Sequence, residues 1–346
     1  MKLKAVPENP LERIALWLNL APMPLVDTQA AYTLARAVMA ASNTGVFEAL
    51  GTGTRTVVDV ATVSGTHPSA TKHLLDCLVA MGYVSWSSDT YTLRPKYRKW
   101  LLKSSSANLI GKMRFQIAEW NWVAHMEDFV RTGKPLDFHE KMSAQEWADY
   151  QEGMRDLSTN TAKEFAGKLK LPASATRMLD IGGAHGLYSI ELCRKHPRLN
   201  STILELPGAI DQASAIAARE GMADRVKHRP GNALTDDLGE AVYDLVMINN
   251  VVHHFNVEQN QALAKKVHRA LKPGGLFGIG EFIRRATPRT GDVIGAMGSL
   301  YFALTSASGT WSEAEIGGWQ KHSGFTPMKA VALMALPGWK MVLARK

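Results

Sequence analysis

At 346 residues the chain is longer than one hydrophobic core usually spans, so a smaller module joined to a larger one is the expected organisation. Hydrophobic residues make up 46% and charged residues 21%, a balance that excludes a disordered or fibrous chain. The formal charge of +8 would suit an anionic partner, but Lys and Arg are scattered along the chain, so charge alone does not make it a nucleic-acid binder.

The first apolar stretch, Ile14 to Leu20, is flanked by Glu12, Arg13 and the Pro22/Pro24 pair, which break the pattern of a signal peptide or membrane span. A cytoplasmic chain with no membrane partner is the expectation. From Val26 to Leu50 apolar residues recur at three and four, as in two amphipathic helices divided near Gly45. Next come a helix over Val57 to Val63, a turn at Ser64-Gly65-Thr66, a helix from Pro68 to Met81, and strands at Tyr83 to Trp86 and Tyr91 to Leu93. That order predicts a winged helix. Its candidate reading helix offers Lys72 and His73 but also Asp76, with no Arg, a poor set for base edges, so no nucleic-acid partner is expected. The basic run Lys96 to Lys103 reads as a solvated helix face. The two cysteines, Cys77 and Cys193, each lie in an apolar helical pattern and make neither a disulfide framework nor a thiolate metal site.

Residues 105 to 170 read as helical throughout. Met113, Ile117, Trp120 and Ala124 share a face with Gln116 and Asn121. Such stripes usually belong to a core, but the polar interruptions make Met113, Gln116 and Trp120 candidates for a substrate wall. Leu171-Pro172 marks a boundary. Beyond residue 176 short apolar runs alternate with helices, which predicts a parallel, doubly wound sheet.

The sharpest local motif is Met178 to Gly186, M-L-D-I-G-G-A-H-G, a buried strand entering a glycine-rich turn and then a helix. Glycines there let the backbone touch a ligand. The spacing differs from the dinucleotide G-x-G-x-x-G, and alone it is a weak signal. Nineteen residues beyond Gly186, Glu205 ends the next strand, where a carboxylate can accept ribose hydroxyls. The third strand ends at Gly231-Asn232-Ala233, beside a predicted adenine ring, and the fourth at Asn249-Asn250. Four successive strand ends lining one crevice is the arrangement of ligand sites in open α/β sheets.

At these residues the sequence resembles the plant-type and bacterial small-molecule O-methyltransferases over nearly its whole length. L-D-I-G-G-A-H-G resembles that family's S-adenosylmethionine loop, L-E-L-P-G-A-I its ribose-binding segment, G-N-A-L its adenine-side segment, V-V-H-H-F its catalytic segment, and L-K-P-G-G with G-E-F-I its strand-and-acid segment. The resemblance implies an α/β class I methyltransferase, a Rossmann-like doubly wound sheet, preceded by an all-α/winged-helix dimerisation domain. The implied boundaries are 1–104 for dimerisation, 105–172 for a helical linker contributing a substrate wall, and 173–346 for the cofactor domain. S-adenosylmethionine is the implied cofactor, S-adenosylhomocysteine its product, with no metal, and the partners are a small-molecule acceptor and a second copy of the chain.

Carried over residue by residue, His253 falls on the family's general base, and Glu281 and Glu313 on its flanking acids. Asp180, Gly182, Gly183, Gly186, Glu205, Leu206, Asn232, Ala233 and Asn249 fall on cofactor positions. In Y-Q-E-G-M-R-D-L-S-T, Met154 falls on a residue that packs on substrate and Ser158 on one that reaches the cofactor carboxylate. Asn232 and Glu205 stand where aspartates are usual, and His254-Phe255 where Asp-Trp is; none of these removes the proposed base. Three other readings stay open: a thiol or thioether acceptor, a cofactor-binding relative that no longer transfers methyl, and a winged-helix regulator that senses the cofactor.

Overall fold

The computed structural model describes residues 5–136 and 142–346. The chain divides into two compact units, Lys2–Ile117 and Ala118–Lys346.

In the first unit, the helix Pro10–Trp17 starts at Asn9, whose side chain accepts from Glu12 N, and Ala31–Asn43 is followed by Val46–Leu50. The division falls at Gly45 as its φ of +78° requires. Helices Val57–Ser64 and Pro68–Ala80 then precede a hairpin of β2 (Val84–Ser87) and β3 (Thr90–Leu93). A strand unforeseen from the sequence, β1 (Thr54–Thr56), pairs antiparallel with β3. Its polar Thr-Arg-Thr composition hid it. Val60, Leu75, Leu78, Val84 and Leu93 form this unit's core. An open depression of about 550 Å³ is lined by Lys72, Asp76, Trp86 and Tyr91. Asp76 already accepts from Lys72 Nζ at 2.6 Å and from Tyr91 Oη at 2.7 Å, so its polar groups serve each other.

The stretch expected to be wholly helical resolves into Ile110–Val123, Met126–Thr132 and Ala144–Lys168. Gly133, at φ +66°, ends the second of these. Part of that expectation, at 137–141, lies outside the described residues.

The second unit carries an eight-stranded sheet. Its strands are β4 (Arg177–Ile181), β5 (Asn200–Glu205), β6 (Val226–Pro230), β7 (Tyr243–Asn249), β8 (Leu271–Phe282), β9 (Thr326–Pro327), β10 (Val331–Ala332) and β11 (Trp339–Arg345). The order is β10-β11-β8-β7-β4-β5-β6, with β9 also on β11. Strands β4 to β8 run parallel and β11 antiparallel to β8.

Both faces are covered, which is why the strands read as near-continuous apolar runs. Met178, Leu245, Met247, Met341 and Leu343 pack with Ala162, Phe165 and Ile190 of the helices Ala144–Lys168 and Leu187–Lys195 on one face. Their sequence neighbours Leu179, Val246, Ile248, Val342 and Ala344 pack with Leu263, Val267 and Ile316 on the other. The alternation is the strand's period of two. Strand order reverses between β4 and β7, so the connections leaving those two strands diverge and open a crevice at their carboxyl ends. Among the described residues no helix is long and apolar enough to cross a membrane.

Candidate active site

The crevice floor begins where β4 stops. Gly182 has φ +66°, and a Cβ there would lie 2.5 Å from Val251 Cγ2. Gly183 crosses directly over Asp180, whose Oδ2 would be 2.6 Å from an added Cβ. Gly186, at φ +75°, caps the helix Leu187–Lys195 and lies against Ile203. Asp180 therefore supports the turn from beneath. It is 1% exposed, accepts from Ser189 Oγ at 2.7 Å, and burial lifts its pKa to about 7.

At the tip of β5, Glu205 Oε2 accepts from Ala184 N at 2.9 Å and Oε1 from Leu206 N at 2.8 Å. Burial raises its pKa while those two N–H groups pull the other way. Leu206 is 42% exposed, an apolar flank beside the carboxylate. Beyond β6, Asn232 is exposed and its Oδ1 accepts from Leu234 N at 2.9 Å. The carbonyl of buried Ala233 accepts from Lys266 Nζ at 2.8 Å. At the tip of β7, both amide atoms of Asn249 are buried without a hydrogen-bond partner.

His185, in the glycine-rich turn, is a residue that sequence reasoning passed over. Its Nδ1 accepts from Leu187 N at 3.1 Å, so the ring proton sits on Nε2, 3.1 Å from Ser158 Oγ. Burial lowers its pKa to about 3, which keeps this tautomer neutral. Ser158, expected to reach the cofactor, accepts that proton, and its own hydroxyl proton is left to turn elsewhere. The contact also ties the helix Ala144–Lys168 to the turn. The signal for His185 was its place inside the glycine motif.

His253 lies just past β7, 2% exposed. Its Nδ1 is 2.7 Å from Glu281 Oε2, whose other oxygen accepts from Phe282 N at 2.9 Å. Burial lowers the histidine's pKa to about 3 and raises the acid's to about 8. Phe302, which no sequence pattern marked, stacks on the imidazole with centroids 3.8 Å apart.

Glu313 is not brought to the imidazole. Its Oε2 pairs with Lys340 Nζ at 2.6 Å and nearly half its side chain is exposed, because it opens a helix on the solvent side. The segment just before it does reach the histidine, through Ser308 N to His253 O at 3.1 Å. Met154 is half-buried on the helix face that carries Ser158, and Trp120 is half-buried. Met113 and Gln116 belong to the first unit, where Met113 packs against its core.

A polar crevice with a carboxylate at one strand tip and an unsatisfied amide at another suits a nucleoside carrying an amino-acid tail. Sheet order and crevice define a class I methyltransferase. A family model for the O-methyltransferase domain matches residues 122–326, more than half of the chain. The 3-hydroxy-5-methyl-1-naphthoate 3-O-methyltransferase of Streptomyces sahachiroi is 26% identical over 332 residues, covering 93% of this chain and 94% of that one. The tetracenomycin polyketide synthesis 8-O-methyl transferase TcmO of Streptomyces glaucescens is 25% identical, covering 90% and 94%. Human N-acetylserotonin methyltransferase, solved in complex with SAM, superposes with a TM-score of 0.81 at 17% identity, covering 99% of each chain.

The chain belongs to the O-methyltransferase family. It is an S-adenosylmethionine-dependent methyltransferase acting on a hydroxyl of a small molecule, and the sulfur-acceptor, non-methylating and regulatory readings find no support in these comparisons.

Proposed function

We propose that this enzyme methylates a phenolic hydroxyl on an aromatic acceptor, with His253 as general base and Glu281 as its orienting partner. The single observation that carries this reading is the buried His253–Glu281 contact of 2.7 Å at the carboxyl edge of the sheet. Glu281 occupies Nδ1, so Nε2 is the nitrogen left for a substrate proton. The aromatic acceptor rests on the naphthoate and polyketide acceptors named for the Streptomyces relatives.

When bound, S-adenosylmethionine supplies an electrophilic methyl on a sulfonium. The residues around it fix geometry and move one proton. Glu205 would accept ribose hydroxyls, Asn232 and Ala233 would flank the adenine, and Asn249 would meet the amino-acid end. Leu206 and the turn of Gly182, Gly183 and Gly186, supported by Asp180, shape the floor, and the Ser158 hydroxyl would donate a hydrogen bond to the cofactor carboxylate. Trp120 and Met154 would wall the acceptor. With that methyl held in line with the acceptor oxygen, His253 Nε2 would take the hydroxyl proton. Alignment supplies much of the rate, and base assistance is worth about 10² to 10⁴. In this reading Glu313 stays outside the dyad and anchors Lys340.

The decisive experiment pairs binding with turnover. His253→Ala should bind S-adenosylhomocysteine in calorimetry as the wild type does, while transfer of labelled methyl to hydroxynaphthoates and other phenols falls about 10²-fold or more. Wild-type turnover in this variant would remove His253 from the mechanism.

The first unit is read as a winged helix serving dimerisation, and the enzyme as a cytoplasmic homodimer with the functional division 1–104, 105–172 and 173–346. The exposed apolar residues Leu11, Trp17 and Leu20 support a partner copy.

A further inference from the structure

Gln151 lies in the helix Ala144–Lys168. It is 1% exposed, yet neither Nε2 nor Oε1 has a hydrogen-bond partner. Burying an amide unsatisfied costs about 1 to 3 kcal/mol, and Leu or Met would fill the same volume without that cost. The position of the side chain tells what it faces. Ser158 is seven residues on, two turns of helix, so the two share a face and stand about 10 Å apart along the axis.

At Ser158 that face touches the glycine-rich turn after β4, through His185. At Trp147, one turn before Gln151, it abuts the turn after β5, since a Cβ on Gly208 would be 3.6 Å from Trp147 Nε1. The adjacent Tyr150 is close enough to Glu205 for that carboxylate to help burial raise its pKa. Gln151, between the Trp147 and Ser158 contacts on the same face, thus lies between the turns that follow β4 and β5.

We infer that Gln151 is a further cofactor-binding residue, its amide closing on the ribose hydroxyls from the helix side while Glu205 holds them from the strand side. The inference rests on the S-adenosylmethionine reading of the crevice. A hydroxyl both donates and accepts, and a carboxamide offers both a donor and an acceptor, whereas Glu205 when ionised only accepts. The ligand would satisfy the orphaned atoms.

The test uses the full-length protein and two probes in calorimetry: S-adenosylhomocysteine and methylthioadenosine, which keeps the nucleoside but lacks the amino-acid tail. Gln151→Met should melt without ligand at or above the wild-type temperature, because an unsatisfied group is gone. It should bind both probes about tenfold more weakly, a loss of about 1.4 kcal/mol. Equal binding of both probes by variant and wild type overturns the inference, and so does weakened binding of S-adenosylhomocysteine alone, which would move Gln151 to the tail. Should Gln151→Met fail to fold, Gln151→Asn, one methylene shorter, must show the same paired loss. A wild type that binds neither probe would instead sink the cofactor reading itself.

Discussion

Among single residues, the His253–Glu281 pair sets the strongest constraint on chemistry. If Glu281 carries a proton, it donates to Nδ1, the neutral ring then holds its own proton on Nε2, and no lone pair faces the substrate. If Glu281 is ionised, Nδ1–H donates to it and Nε2 is free. Burial raises the Glu281 pKa to about 8, so the competent form grows as pH rises toward 8 and is lost as pH falls. Methyl transfer at saturating cofactor should climb about tenfold per pH unit below that value and level above it. Glu281→Gln cannot ionise, so its profile should lose that limb while the rate falls by a factor on the order of 10². A limb of unchanged position in Glu281→Gln would assign it to another group. The sequence showed both residues as motif matches. It could not show which acid reaches the ring, because that depends on Glu281 ending β8 beside the imidazole while Glu313 opens a helix toward Lys340.

At the level of elements, the glycine-rich turn was readable because its demands are local. Gly182→Ala would place a methyl in a left-handed conformation and against Val251 Cγ2 at 2.5 Å. Chemical denaturation should record a loss of about 1 to 3 kcal/mol, and calorimetry a weaker affinity for S-adenosylhomocysteine. Gly317 makes the control. It sits inside the helix Glu313–His322 with nothing within 4 Å of an added Cβ, so Gly317→Ala should gain about 0.5 to 1 kcal/mol. A loss at both positions would mean that the turn has no special requirement. The short apolar runs of β4, β5 and β7 were legible for the same reason: each is set by a few adjacent residues. The unforeseen β1 and the contacts of His185 with Ser158 and Phe302 with His253 depend on residues far apart in sequence. No local pattern encodes them.

For the whole molecule, the order β6-β5-β4-β7-β8 sets β4 beside β7, and that point of reversal fixes where the cofactor must lie. That much of the site follows from topology alone. Association of two copies rests on a different argument. The helix Pro10–Trp17 has only eight residues and buries none of them, and a helix this short is unstable in water without a partner surface. Leu11, Trp17 and Leu20 are 78%, 81% and 70% exposed. A second copy offering the same apolar face is the symmetric way to cover them. Light scattering at micromolar concentration should give a dimer, and Leu11→Glu combined with Trp17→Glu should shift it to a monomer, because each carboxylate would have to be desolvated at the interface. The double variant should also lose helical signal by circular dichroism. A wild type that runs as a monomer, or a double variant that stays dimeric, would place the interface on another surface.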